Sequence, residues 1–242
     1  MKKTIALIML LCVSAVLFAS VGITVRAGGS FGFANLKTYS DVPEHETRYK
    51  VHGFGFDGSV MYDITDKFAV YADFNMLFPK DVVYTDPDGQ ELIISERVKE
   101  VVANDKHYDD GSYGVDYYSI SAGAAYKFDL GIPVRLAIGA GISFNHLKSF
   151  TLFIKHRTNR DNITRSEAKI YNIGLNAMLD AKYMVNDNLG VGLTVMPQVG
   201  LYNISIIENS YNGVIDEEYS RSVKGFTVSF AMPITVGVSY SF

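Results

Sequence analysis

Tryptophan is absent from this chain and cysteine occurs once, at Cys12, so no disulfide and no cysteine-based metal site can form. Basic residues are no richer than acidic ones, 22 against 26, which argues against nucleic acid as a partner. Only one long apolar run exists, from Ile5 to Ala19. It is too short for a comfortable helical span, which needs about 20 residues, and nothing beyond it replaces it. Any membrane crossing must therefore be made by strands. What the chain does have is Tyr (16), Phe (15) and Gly (21) in quantity.

The apolar run follows Met1-Lys2-Lys3, the arrangement of a secretory leader. A signal peptide is expected over residues 1–27, with cleavage after Ala27 on Val25-Arg26-Ala27; the alternative is after Ser20 on Phe18-Ala19-Ser20. Leu11 before Cys12 is not small, which argues against lipid attachment at that cysteine. Cleavage after Ala27 removes Cys12, Lys2, Lys3 and Arg26 and leaves one domain, residues 28–242.

Strict alternation then recurs in eight segments: 30–39, 51–64, 67–78, 117–128, 134–147, 170–185, 189–203 and 225–242. Phe68, Val70, Ala72, Phe74, Met76 and Phe78 alternate with Ala69, Tyr71, Asp73 and Asn75, for example. Period two over such lengths marks strands with two unlike faces. Turn-forming residues at 65–67, 129–133 and 186–188 are tight links. Polar links at 40–50, 79–116, 153–169 and 206–224 are long. This rhythm predicts an all-β fold, an eight-stranded antiparallel up-and-down transmembrane β-barrel with both termini on the side of the tight turns. Val236, Val238, Tyr240 and Phe242 line one face of the last strand, which must pair with the first because an open edge in lipid leaves backbone groups unsatisfied. Tyr62, Tyr126, Tyr183 and Tyr240 fall near one interface, as an aromatic girdle would.

The polar face carries Asp57, Asp63, Asp73 and Asp180 with Lys127, Arg135 and Lys182. An eight-stranded barrel is just wide enough for its own side chains, so a wide pore is excluded. A network of ion pairs with trapped water is expected, acting as a plug or as a gate whose pairs exchange. Pro197 and Pro233 fall at similar height on neighbouring strands. Neither donates to a ladder, so they mark a bulge or a candidate lateral seam. Link 79–116 is acidic, and its stretch 90–103 suits an amphipathic helix or a continuation of the strands. Link 153–169 is basic and could meet anionic head groups or a host surface. His146 with Ser143 and Ser149 is the best nucleophile pairing available, but its spacing is poor and no acid orients it. No catalytic residue, metal ligand or cofactor site is expected.

The segments "YDITDKFAVYADFNMLFP", "VRLAIGAGISFNHLKSF" and "LDAKYMVNDNLGVGLTVMPQVG", with the terminal "YSF", resemble the small outer-membrane barrels of the OmpW, OmpX and OmpA-barrel type. The resemblance implies a bacterial outer-membrane location. It also implies insertion by the barrel-assembly machinery, which would read Val236, Val238, Tyr240 and Phe242 as its signal. Two functions are compatible with it. One is a narrow channel or permeability protein for small, apolar molecules, with sideways release at Pro197 and Pro233 as proposed for OmpW-like barrels. The other is a structural or surface-interaction barrel whose external loops bind host or lipid partners.

Overall fold

The alternating segments form one closed antiparallel ladder. The computed structural model describes residues 22–39, 46–85, 88–104, 108, 110–157, 160–212, 214–215 and 220–242. The signal peptide expected at the N-terminus therefore lies, through residue 21, outside the described residues. The elements are β1 (Ile23–Tyr39), β2 (Glu46–Asp63), β3 (Phe68–Thr85), β4 (Glu91–Ile93), α1 (Ile94–Asn104), β5 (Asp110–Asp129) and β6 (Val134–Arg157). They continue with β7 (Arg160–Met184), β8 (Leu189–Val195), β9 (Gln198–Tyr211), β10 (Val214–Ile215) and β11 (Arg221–Ser241). Strands β8 and β9 act as one stave, so eight staves run β1-β2-β3-β5-β6-β7-β8/β9-β11 and return to β1. Closure runs from Thr24↔Ser241 to Asn35↔Phe230, and the Phe242 N–H donates to the Ile23 carbonyl at 2.9 Å.

Large apolar side chains face outward and polar ones inward, the reverse of a water-soluble core. Phe54, Phe74, Ile142, Leu175 and Val236 are exposed, while Asp57, Asn75, Asn145, Asn172 and Gln198 are buried. Tyr62, Tyr183 and Tyr240 are exposed, and Tyr126 packs against Phe68 and Phe128. A lipid-facing band of this kind needs about 9–11 residues per strand, but β6 has 24 and β7 has 25. These strands run well past the membrane on the side away from the tight turns.

That length corrects the long polar links. Most of 153–169 is the paired upper end of β6 and β7, in register from Phe153↔Thr164 to Arg157↔Arg160. Much of 79–116 is likewise ladder, joined to α1. The start of the barrel is also earlier than the expected boundary at 28. Strand β1 begins at Ile23, so the Ala27–Gly28 bond lies inside a strand paired on both edges.

Candidate functional site

The lumen is built in layers, from the tight turns upward. A cavity of about 700 Å³ opens among the turns, lined by Asp63, Lys127, Arg135, Asp180 and Lys182 among others. Lys127 Nζ pairs with Asp63 at 2.6 Å, whereas Arg135 lies exposed at the rim.

Above it sits a buried charge layer whose centre is Arg26. Its Nη2 donates to Asp57 Oδ1 at 2.7 Å and to Asp73 Oδ2 at 3.0 Å, and its Nη1 donates to Asp180 Oδ1 at 3.2 Å. Thr194 Oγ1 donates to the same Asp180 oxygen at 2.6 Å, and Lys182 Nζ holds the other one at 3.0 Å. One guanidinium thus ties β1 to β2, β3 and β7. A planar fork of five donors suits this task better than an ammonium. Of the seven charged residues read from the sequence, Asp57, Asp73, Asp180 and Lys182 meet here, and Asp63 and Lys127 pair nearer the rim. Sequence reasoning missed Arg26 by assigning it to the leader. Its phase was visible, since Arg26, Gly28 and Ser30 alternate with Val25, Ala27 and Gly29.

The next layer is made of amides and hydroxyls: Asn75, Asn145, Asn172, Asn176, Gln198, Ser119 and Ser121. Gln198 Nε2 donates to Ser121 Oγ at 3.2 Å, and Asn176 Nδ2 donates to Tyr71 Oη at 3.0 Å. Both polar atoms of Asn75 and of Asn172 lack a protein partner, the usual setting of ordered internal water. Gly200 lets the Asn172 amide lie against the backbone of the neighbouring stave, since a Cβ there would overlap it.

One step higher the inward face changes character. Leu77 follows Asn75, Leu147 follows Asn145, and Ile170 precedes Asn172. With Leu36, Val51, Val82 and Tyr117 they form an apolar septum in which each is at most 1 % exposed. Tyr117 Oη donates down to Asn145 Oδ1 at 2.7 Å. Helix α1 covers this septum: Ile94 packs on it and Val98 is buried. Asp81 fixes the helix start by accepting from Ser95 N at 3.2 Å and from Ser95 Oγ, while also accepting from Val82 N at 2.8 Å. Among the described residues the lumen is closed at this level.

On the outward-facing side of β6, His146 is buried between Tyr118 and Tyr171, with ring centroids 4.8 and 4.7 Å away. Ser143 and Ser149 alternate with it and face the interior, so the sequence-level pairing does not form. Above this aromatic stack Glu167 takes Lys148 at 3.3 Å, Lys169 at 3.1 Å and Arg165, and Lys169 also reaches Glu208 at 2.8 Å. Burial alone would raise the Glu167 carboxyl, but the hydrogen bonds from Lys169 and Lys148 outweigh it and hold it below the ordinary value. Hydrogen bonds to Glu208 and Glu167 raise Lys169 above the ordinary lysine value.

Pro197 and Pro233 interrupt the ladder at one height. Pairing of β8 with β11 stops at Val195↔Ile234, and pairing of β9 with β11 resumes at Gln198↔Ala231. Single bonds bridge the gap: Ala177 N–H donates to the Pro197 carbonyl at 2.9 Å, and Met196 N–H donates to the Pro233 carbonyl at 3.1 Å. The return bonds need N–H groups that proline lacks. Met196, buried inside, backs the gap.

A closed eight-stave cylinder with a greasy exterior and a polar, charge-filled interior defines a bacterial outer-membrane β-barrel. Residues 4–242 match the outer membrane protein beta-barrel domain family, and the chain belongs to that family. Its fold is similar to a major outer membrane protein from Thermus thermophilus, at 15% identity and TM-score 0.53, covering 89% of this chain and 99% of that one. It is also similar to the outer membrane protein OprG from Pseudomonas aeruginosa, at 12% identity and TM-score 0.52, covering 92% and 96%. Neisserial surface protein A matches at 18% identity and TM-score 0.44, covering 91% and 97%. No curated protein matches in sequence.

Proposed function

We propose that this barrel is a closed membrane anchor that carries a binding surface outside the cell. The observation that supports this reading most is the septum under α1. A passing solute would have to displace Leu36, Leu77, Leu147 and Ile170, and burying each such side chain is worth about 1.5–3 kcal/mol. Strands β6 and β7 meanwhile continue above the His146–Tyr171 stack and are braced there by Glu167 and Lys169. A braced hairpin presents a fixed surface at little entropic cost, which is what recognition of a host or lipid partner requires. Catalysis is not part of this reading, because the His146 ring is stacked on the face opposite Ser143 and Ser149.

The second reading, a narrow passage for small apolar molecules, is favoured by one observation, the ladder gap at Pro197 and Pro233. Cells displaying the full chain, and cells displaying a chain with the β6–β7 hairpin shortened to just above the Lys148↔Lys169 pair, separate the two. Both are scored for adherence to host matrix and to anionic vesicles. The closed-anchor reading expects adherence to be lost with the hairpin while the barrel stays folded. Equal adherence of the two cell types would refute it.

A further inference from the structure

Arg26 and the strand around it bear on how the chain is processed. Three buried carboxylates, Asp57, Asp73 and Asp180, share the Arg26 guanidinium, and among the described residues no other side chain bridges all three. The residues just before Arg26 are ladder as well. Ile23 opposes Tyr62, Thr24 opposes both Met61 and Ser241, and Val25 opposes both Val60 and Tyr240. The Ile23 carbonyl accepts from Phe242 N–H at 2.9 Å, and the Gly22 carbonyl accepts from Asp63 N–H at 2.8 Å. Cutting after Ala27 would remove all of these contacts. It would leave the carboxylates without their shared cation and the β1 edge of the C-terminal end of β11 unpaired, an open edge which lipid does not tolerate.

We infer that the leader is removed on the N-terminal side of β1, within residues 19–23, and that Arg26 stays in the mature protein as the cation closing the charge layer. Small residues at positions one and three before the cut are what leader removal selects. Ser20 and Gly22 supply that spacing for the Gly22–Ile23 bond, where a cut gives up only the Gly22 carbonyl's contact with Asp63 N–H and leaves Ile23 to Arg26 in the ladder. Val25-Arg26-Ala27 presents a competing spacing within the preprotein, but using it destroys the strand that closes the barrel.

The test is the intact mass and N-terminal sequence of the protein extracted from outer membranes in its folded, heat-modifiable form. The expected first residue is no earlier than Ser20 and no later than Ile23, so that Arg26 is retained. A folded chain that begins after Ile23, or one that begins before Ser20, overturns the inference. A companion variant, Arg26→Gln, should be processed at the same bond yet lose its heat-modifiable mobility at a lower temperature than wild type. Unchanged mobility of that variant would remove the role given to Arg26.

Discussion

At the residue scale, Arg26 carries the most weight. Breaking a buried ion pair by deleting one partner typically costs about 3–5 kcal/mol, because the remaining charge is left uncompensated. Arg26→Met leaves Asp57 and Asp73 facing each other without a cation, with Asp180 still held by Lys182, so unfolding in detergent should occur at a markedly lower urea concentration. Adding Asp73→Asn should recover part of the loss. If Arg26→Met unfolds like wild type, the charge layer is not what ties β1 to its neighbours. Glu167 gives a second test, outside the membrane. Its folded-state acidity is held below the ordinary value, so its contribution is present in full above about pH 4.3, the ordinary glutamate value, and is lost as pH falls through the depressed one. Hydrogen exchange in β6 and β7 above His146 should accelerate on acidification through that range, and Glu167→Gln should abolish the pH dependence. The seven inward charges were legible in the sequence because their phase is that of the glycines and serines around them. Arg26 was not, because a basic residue flanked by small ones also fits a leader.

At the element scale, two features set the barrel apart from an idealised one. Pro197 and Pro233 each withhold one ladder bond, on opposite edges of the β8/β9 stave. A net backbone hydrogen bond is worth about 0.5–1.5 kcal/mol, and more where no water can substitute. The double change Pro197→Val, Pro233→Val should therefore raise the unfolding temperature and slow amide exchange at Ala177 and Met196. A lower unfolding temperature would mean that the prolines relieve strain in a necessary bend. The other feature is strand length. Alternation revealed the staves within the membrane, but the charged residues of 153–169 look like loop when only hydrophobicity is followed. They are strand because Lys148, Glu167, Lys169 and Glu208 satisfy one another across neighbouring staves, a pairing that appears only once the register is known.

At the scale of the whole molecule, the chain solves two solvent problems with one pattern. Greasy residues meet lipid outside and polar residues fill the interior, as the period of two foretells. The closure of the lumen was harder to foresee. Leu77, Leu147 and Ile170 sit in the inward phase, so the apolar septum is written into the sequence as a change of residue type at fixed parity. It becomes visible only when strands distant in sequence are brought to one height, with α1 tied down by Asp81 above them. The most direct test of this layered, sealed cylinder is single-channel recording of the purified folded protein in planar bilayers. The account predicts a silent bilayer for wild type, with discrete current steps arising only when the septum is thinned, as in Leu77→Ala, Leu147→Ala combined. Reproducible current steps from the wild-type protein would contradict it.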